Sequence, residues 1–338
     1  MSAAPAFGLG LAVQHRPDED QAARFREHVE QVRLARRVGF GSVWASQHYL
    51  AQPFTYFQPV PTLARLAADA EGMTLGTGVV LLALHHPLDV AEQLATLDVI
   101  AGGRLVAGFG LGYRDEENEA LGLDPRDRVG RFTEALAVVE RLWAGEPVTH
   151  AGPRFPLRGV QLSLRPARRP RPPIWLAANT DGGVRRAARL GDAWLMNPHA
   201  SLPSLERQLA LFRDTRRQVG RPPATETPLI KECLVADSTA AALAEARPYL
   251  EAKYEAYRAW KQDEALPAGE TFALGFDDLA RDRFVVGDPG RVADELARYR
   301  ERLGVTTFVF RVQWPGMPQA SVLRSLRLLG EKVLTRLA

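Results

Sequence analysis

Short apolar runs alternate with longer amphipathic stretches along most of the chain. The runs 6–13, 42–47, 74–81, 104–110, 173–178, 192–196, 229–235 and 305–311 predict strands. Between and after them, residues 20–38, 58–71, 87–101, 127–144, 182–190, 202–219, 238–260, 289–303 and 318–336 carry a helical period. Several strand runs are apolar almost throughout, as expected of parallel strands covered on both faces. Gly39 and Gly191 stand where a helix should stop before the next strand, and Pro87 stands in a helical first turn. Eight strand–helix alternations predict an α/β fold, a (β/α)₈ TIM barrel rather than a doubly wound sheet.

Two segments break the rhythm, and both read as insertions in βα connections of a single domain spanning 1–338. Residues 146–172 predict a short hairpin followed by a Pro-rich return. Residues 261–288 are long and irregular, which predicts a functional lid or a disordered segment.

Composition narrows the function classes. The 338 residues are 46% hydrophobic and 25% charged, with net charge +3, so a normal core is expected. Arg supplies 39 of the 43 basic residues, but no basic block is interleaved with aromatics, and "RPARRPRPP" (165–173) reads as a linker. Nucleic acid is therefore not an expected partner. No run reaches the ~18 apolar residues of a membrane span, and "MSAAPAFGLG" lacks the pattern of a signal peptide. Cys233 is the single cysteine, set in the apolar run "LIKECLVAD". It reads as a core residue of a protein from a reducing cytoplasm.

In a (β/α)₈ barrel the C-terminal ends of the strands carry the chemistry. His48 follows the run "SVWASQ" at such an end. Gly76 and Gly78 in "LGTGVVLLALHHP" predict either tight packing or the approach of a flat ligand. His85 and His86 read as helix-entry residues; no third ligand at a metal-like spacing accompanies them, so no metal site is predicted. "GRLVAGFGLGYRDEENEALG" (103–122) lacks the third glycine of a dinucleotide fingerprint, and Gly110 reads as clearance for a planar ligand. In "WLAANTDGGVRRAARLGDAW" (175–194), Asn179, Thr180, Gly182 and Gly183 open a helix after a strand. That is either a phosphate site on unpaired N–H groups or an ordinary helix capped by Thr180 or Asp181.

In this order, "GFGSVWASQHYL", "GTGVVLLALHHPLDVAEQLATLD", "GGRLVAGFGLGYRDEENEALG", the "VTHAGPRFPL…RPPIWLAAN" insert and "GDPGRVADELARYRERLGV" resemble the bacterial luciferase-like flavin-dependent monooxygenases. The resemblance covers nearly the whole chain. It implies a (β/α)₈ barrel holding reduced FMN, or in a sister branch a deazaflavin, across its C-terminal mouth. It matches His48 to the family's active-site histidine. Gln47 and Tyr49 stand where many members have a Glu and a second His. It also puts the family's non-prolyl cis peptide at Gly78–Val79, its phosphate site at Asn179, Thr180, Gly182 and Gly183, and its lid at 261–288. Leu111 occupies the position of the luciferase phosphate Arg, which leaves backbone amides or another Arg, such as Arg114, for that task.

The expected function is an FMN-dependent monooxygenase that oxygenates a small organic substrate with O2. No nicotinamide motif is present, so a separate flavin reductase is the expected source of reduced FMN. Tyr49, Tyr113, Arg311, Gln313 and Trp314, near strand ends, are the expected substrate contacts. A homodimer is an open option from the family. A deazaflavin-dependent hydride-transfer enzyme on the same barrel and a non-catalytic flavin-binding protein are the alternatives. A cofactor-free hydrolase has no G-x-S-x-G motif and no paired carboxylates at strand ends to support it.

Overall fold

The most apolar runs form the strands, and they are buried on both faces: every residue of Leu105–Gly110 and of Pro228–Val235 is buried. The computed structural model describes residues 5–337. Its main sheet contains β1 (Ala6–Gly10), β2 (Ser42–Ala45), β3 (Thr74–Thr77), β4 (Leu105–Gly110), β5 (Ile174–Ala177), β6 (Ala193–Leu195), β7 (Pro228–Val235), β8 (Phe284–Gly287) and β9 (Thr307–Arg311). They follow one another as β6-β5-β4-β3-β2-β1-β9-β7-β8, with every pairing parallel. Past the end of β6, Met196 pairs with Leu229 of β7: the Met196 N–H donates to the Pro228 carbonyl at 3.0 Å, and the Ile230 N–H to the Met196 carbonyl at 2.8 Å. The result is a curled parallel α/β sheet.

Helices cover the outer face. Those that matter for the site are α1 (Gln21–Arg37), α2 (Pro59–Leu66), α3 (Pro87–Ile100), α4 (Asp115–Ala120), α5 (Arg128–Ala144), α6 (Asp181–Leu190), α7 (Leu202–Gln218) and α8 (Thr239–Ala259). Among the described residues, no helix is long and apolar enough to cross a membrane. Gly39 adopts a φ of +97° after α1, a conformation that favours glycine. His86 caps α3, its Nδ1 accepting the Leu88 N–H at 3.2 Å ahead of Pro87.

Inside the curl, Trp44, Val106, Trp175, Ala193, Leu195, Ile230 and Val309 form a separate apolar cluster, with Trp44 and Trp175 stacked 5.0 Å apart. This packing explains a strand glycine. A Cβ on Gly76 would lie 2.1 Å from the Trp44 ring. Gly76 therefore makes room for a tryptophan, not for a flat ligand.

The two insertions behave differently. Val148–His150 and Leu157–Val160 pair antiparallel within 146–172. The 261–288 segment is less irregular than its sequence suggests. Phe276–Arg283 is helical (α9), and Phe284–Gly287 is β8, paired along Glu232–Val235 of β7. A buried ion pair, Glu270–Arg283, ties the segment further: Arg283 also donates to the His199 carbonyl at 2.8 Å, and Glu270 accepts the Ser201 N–H at 3.1 Å. Residues 270–288 are thus anchored to the body of the fold, unlike the stretch before Glu270.

Candidate active site at the C-terminal ends of the strands

A cavity of about 620 Å³ opens where β1 to β6 and β9 end, within the size range of small-molecule sites. Its lining includes Leu11, Ser46, Gly78, Gly110, Ala178, Asn197, Ile230 and Arg311, each at or just past a strand end apart from Ile230 within β7. Of the expected site residues it brings together His48, Gly78, Val79, Gly110, Tyr113, Asn179, Thr180, Gly183, Arg311 and Gln313.

Three expected residues lie elsewhere. Tyr49 borders a smaller cavity of about 210 Å³ with Gln58 and His85, its hydroxyl accepting from Gln47 Nε2 at 3.2 Å. Trp314 is 1% exposed and donates to Glu232 Oε2 at 2.6 Å, so it is core rather than wall. Gly182 is exposed and outside the lining.

At one end of the cavity stands His48. Its ring packs edge-on against Tyr56 at 5.5 Å and Tyr113 at 5.7 Å. Its Nδ1 lies 2.9 Å from Oε1 of Glu117, a fully buried residue of α4. A carboxylate only accepts, so Nδ1 donates, and among the described residues Nε2 has no protein partner. The same Glu117 oxygen accepts the Tyr49 N–H at 2.9 Å. Arg114, which precedes α4, donates to the carbonyls of Tyr49 at 2.8 Å and Leu50 at 3.1 Å, and its guanidinium lies 4.6 Å over the Trp260 ring. Leu50 holds the left-handed φ of +48°, an uncommon conformation for a leucine that surrounding bonds must maintain. The start of α4 therefore clamps the loop that carries His48. Gln47 adds a second tie, accepting the Leu81 N–H at 2.9 Å and contacting His85 Nε2 at 3.0 Å.

The floor holds Gly78 and Val79, joined by a cis peptide bond. A Cβ on Gly110 would meet Val79 Cγ2 at 2.6 Å, so Gly110 clears space for Val79.

At the other end α6 begins. Thr180 is its N-cap, accepting the Gly183 N–H at 3.2 Å and keeping its hydroxyl proton free to donate. Asp181 faces away: Arg207 binds it at 2.7 and 2.9 Å and holds its carboxyl below the usual range. Asn179 accepts from Asn197 through its side chain, and from Gln208 at 2.6 Å through its carbonyl. Arg186, one turn into α6, lines the cavity over Phe132 at 5.7 Å. Among the described residues it has no acidic partner, and burial alone lowers its guanidinium pKa. The other arginines of the mouth are engaged: Arg114 as above and with Glu116 at 2.6 Å, Arg128 with Asp115 and the Tyr113 carbonyl. Arg114 is thus a loop clamp, and among the described residues the arginine at the α6 end without an acidic partner is Arg186. Among the described residues, no group of three or more His, Cys, Asp or Glu side chains gathers as a metal site.

A sequence model of the family described as luciferase-like monooxygenase matches residues 6–307. The chain belongs to the luciferase-like monooxygenase family. Among solved structures, it resembles monooxygenase RslO1 of Streptomyces bottropensis at 28% identity and TM-score 0.88, over 98% of this chain and 100% of the other. It is 26% identical to the flavin-dependent trigonelline monooxygenase oxygenase component of Acinetobacter baylyi, over 90% of this chain and 88% of that relative. It is 38% identical to an F420-dependent glucose-6-phosphate dehydrogenase of Beutenbergia cavernae, over only 48% of this chain and 49% of that one. The luciferase-like family thus contains both flavin and deazaflavin relatives of this chain, and the enzyme is an oxidoreductase.

Against the family pattern, two residues of this luciferase-like chain escaped sequence reasoning: Glu117 and Arg186. The signal for Glu117 was present, an acidic first turn after a glycine-rich strand end. Arg186 was hidden among the three arginines of α6.

Proposed function

We propose that the protein is a monooxygenase that uses reduced FMN and O2 to oxygenate a small organic substrate. Arg186 carries this reading: an unpaired, partly buried guanidinium beside the first turn of α6, in a cavity whose far end holds His48. A helix N-terminus with exposed N–H groups and a free Arg suits a phosphate monoester. The donor set fits FMN. Arg186, Thr180 and the Gly183 backbone would hold the phosphate, while Val79, Gly78 and Gly110 offer a flat apolar wall for the ring system. We read the sheet as a (β/α)₈ barrel joined through the Met196–Leu229 bridge, with this cavity at its mouth.

Bound reduced FMN would supply the electrons that activate O2 for insertion into the substrate. The protein's part is to bind, orient and exclude water. Glu117 fixes the His48 tautomer, so Nε2 is the ring atom left to exchange a proton with what binds in the cavity. Residues 261–269, between Trp260 and the Glu270 anchor, would close over the cavity, because Lys261, Gln262, Glu264 and Ala265 already line it and Tyr113 donates to Gln262 at 3.3 Å. The oxygenase-component relative supports a separate reductase as the source of reduced FMN.

The F420-dependent relative favours a second reading, hydride transfer with a deazaflavin. Parallel titrations with reduced FMN, oxidised FMN and F420 test the choice. Tight binding of reduced FMN with O2-dependent product supports the monooxygenase. Preference for F420 and indifference to O2 would replace it.

A further inference from the structure

We propose that the end of the cavity beside β1 and β9 is a subsite for the carboxylate of a planar aromatic substrate, held by Arg311, Gln14 and Gln313. The inference rests on the cavity being the flavin site and names the substrate class of that site.

Arg311 is the last residue of β9, next to Gly10 of β1. A Cβ on Gly10 would lie 3.2 Å from Arg311 Cγ, so the glycine gives the arginine its room. The acidic partner of Arg311 is Glu232, at a long 3.5 Å. That carboxylate already accepts Lys253 Nζ at 2.6 Å and Trp314 Nε1 at 2.6 Å. Two cations thus share one buried anion, and a single positive charge is left over beneath the cavity. His199, also in the lining, reports the same field: burial first, then Arg311 and Lys253, push its pKa well below the ordinary value.

Two amides complete the set. Gln14 is 7% exposed and lines the cavity, and its Nε2 is buried with no hydrogen-bond partner. Its Oε1 is occupied by the Tyr257 hydroxyl at 3.4 Å. Gln313 is 3% exposed; its Oε1 takes Gln31 Nε2 at 3.0 Å, which leaves its Nε2 as a further donor to the cavity. Unpartnered buried donors are costly and call for an acceptor. A monoanion with two coplanar oxygens satisfies both the charge and the guanidinium fork. The acids in the lining are Asp115, Glu116 and Glu264, away on the α4 and 261–265 side, where Arg128 and Arg114 bind the first two.

The walls specify the rest of the molecule. Tyr56 is the cross-strand partner of Gln14 and touches the His48 ring. With Tyr113, Tyr257 and Trp260, these rings give a flat aromatic body a slot leading from the carboxylate subsite toward His48.

The test is calorimetric binding of benzoate and its neutral isostere benzamide to the full chain saturated with oxidised FMN. Benzoate is expected to bind about tenfold tighter or more, the size of a charge-assisted hydrogen bond. Arg311→Gln should abolish that preference and Gln14→Leu should reduce it severalfold, both with FMN affinity nearly unchanged. Gln14→Leu decides if Arg311→Gln does not fold. Equal binding of the two probes to the parent, or a preference that survives both substitutions, overturns the proposal. So does loss of FMN affinity without loss of preference, which assigns these donors to the cofactor. A parent chain that prefers benzoate but binds neither oxidised nor reduced FMN supports the subsite and refutes the flavin reading. FMN binding without a benzoate preference refutes only the subsite.

Discussion

The two ends of the cavity are built on opposite principles. At the His48 end the groups that hold the histidine loop are engaged: Glu117 accepts twice through Oε1, Arg114 donates to two carbonyls, and Gln47 ties the loop to Leu81 and His85. At the α6 end Arg186 faces the cavity and, among the described residues, has no acidic partner. The difference separates two tasks. A group that handles a proton must be held in one tautomer and position before anything binds. A group that binds a ligand's charge is left open, because an internal partner would compete with the ligand.

Substitutions at the two ends should therefore fail in different ways. His48→Ala has the largest expected effect: coupled oxygenation falls about 10²–10⁴-fold, hydrogen peroxide accumulates instead, and FMN affinity stays within a few-fold. Product per reduced flavin consumed, with peroxide assayed in parallel, checks it; unchanged coupling would strip the His48 end of its task. Glu117→Gln keeps the shape and an acceptor for Tyr49 but removes the charge, so it should cost about tenfold in coupled turnover, in kcat rather than in FMN affinity. A matching fall in FMN affinity would merge the two ends into one.

Smaller effects sharpen the comparison further. Beside Gln14, His15 and His28 meet through Nε2 at 3.0 Å, and both are buried. Burial first lowers their pKa values to about 3 and about 4. Below pH ~6.5 the unfolded chain takes up protons that the folded pair refuses, so stability falls with pH from there toward about pH 4, by roughly 1 kcal/mol per unit for each histidine. Thermal unfolding from pH 7 to 5 should show this loss, and less of it in a His15→Gln, His28→Gln chain; a flat profile in the parent would contradict it. The smallest effect concerns the lid. Amide exchange over 261–269 should slow when FMN is added while 270–283, fixed by the Glu270–Arg283 pair, does not change. Equal slowing in both stretches would reject that boundary.

The sequence was a good guide where one period dominates. Apolar runs at all eight expected positions became strands of the sheet, and His48 could be found because a strand end points to it. Phe284–Gly287 was lost because four residues after a charged helix carry no period, and its burial comes from pairing with a strand about 50 residues earlier. Glu117 and Arg186 were lost to helix phase. In "DEENEA" and "GGVRRAAR" each has a like-charged neighbour, and only the packed helix decides that Glu117 is buried while Glu116 is exposed, or that Arg186 faces the cavity while Arg185 is exposed. Trp314 failed for a related reason: the chain past β9 turns its ring into the core, where Glu232 needs a donor.

A phosphate site at the α6 end, served by Arg186, is the centre of the proposed function. Its most direct test compares reduced FMN with reduced riboflavin, which differ only in the phosphate, on the parent chain and on Arg186→Met. The parent should bind FMN about a hundredfold tighter than riboflavin, as a few charge-assisted hydrogen bonds allow. Arg186→Met should lose most of that ratio while its riboflavin affinity stays put. Equal affinity of the parent for the two flavins, or a ratio untouched by Arg186→Met, would contradict it.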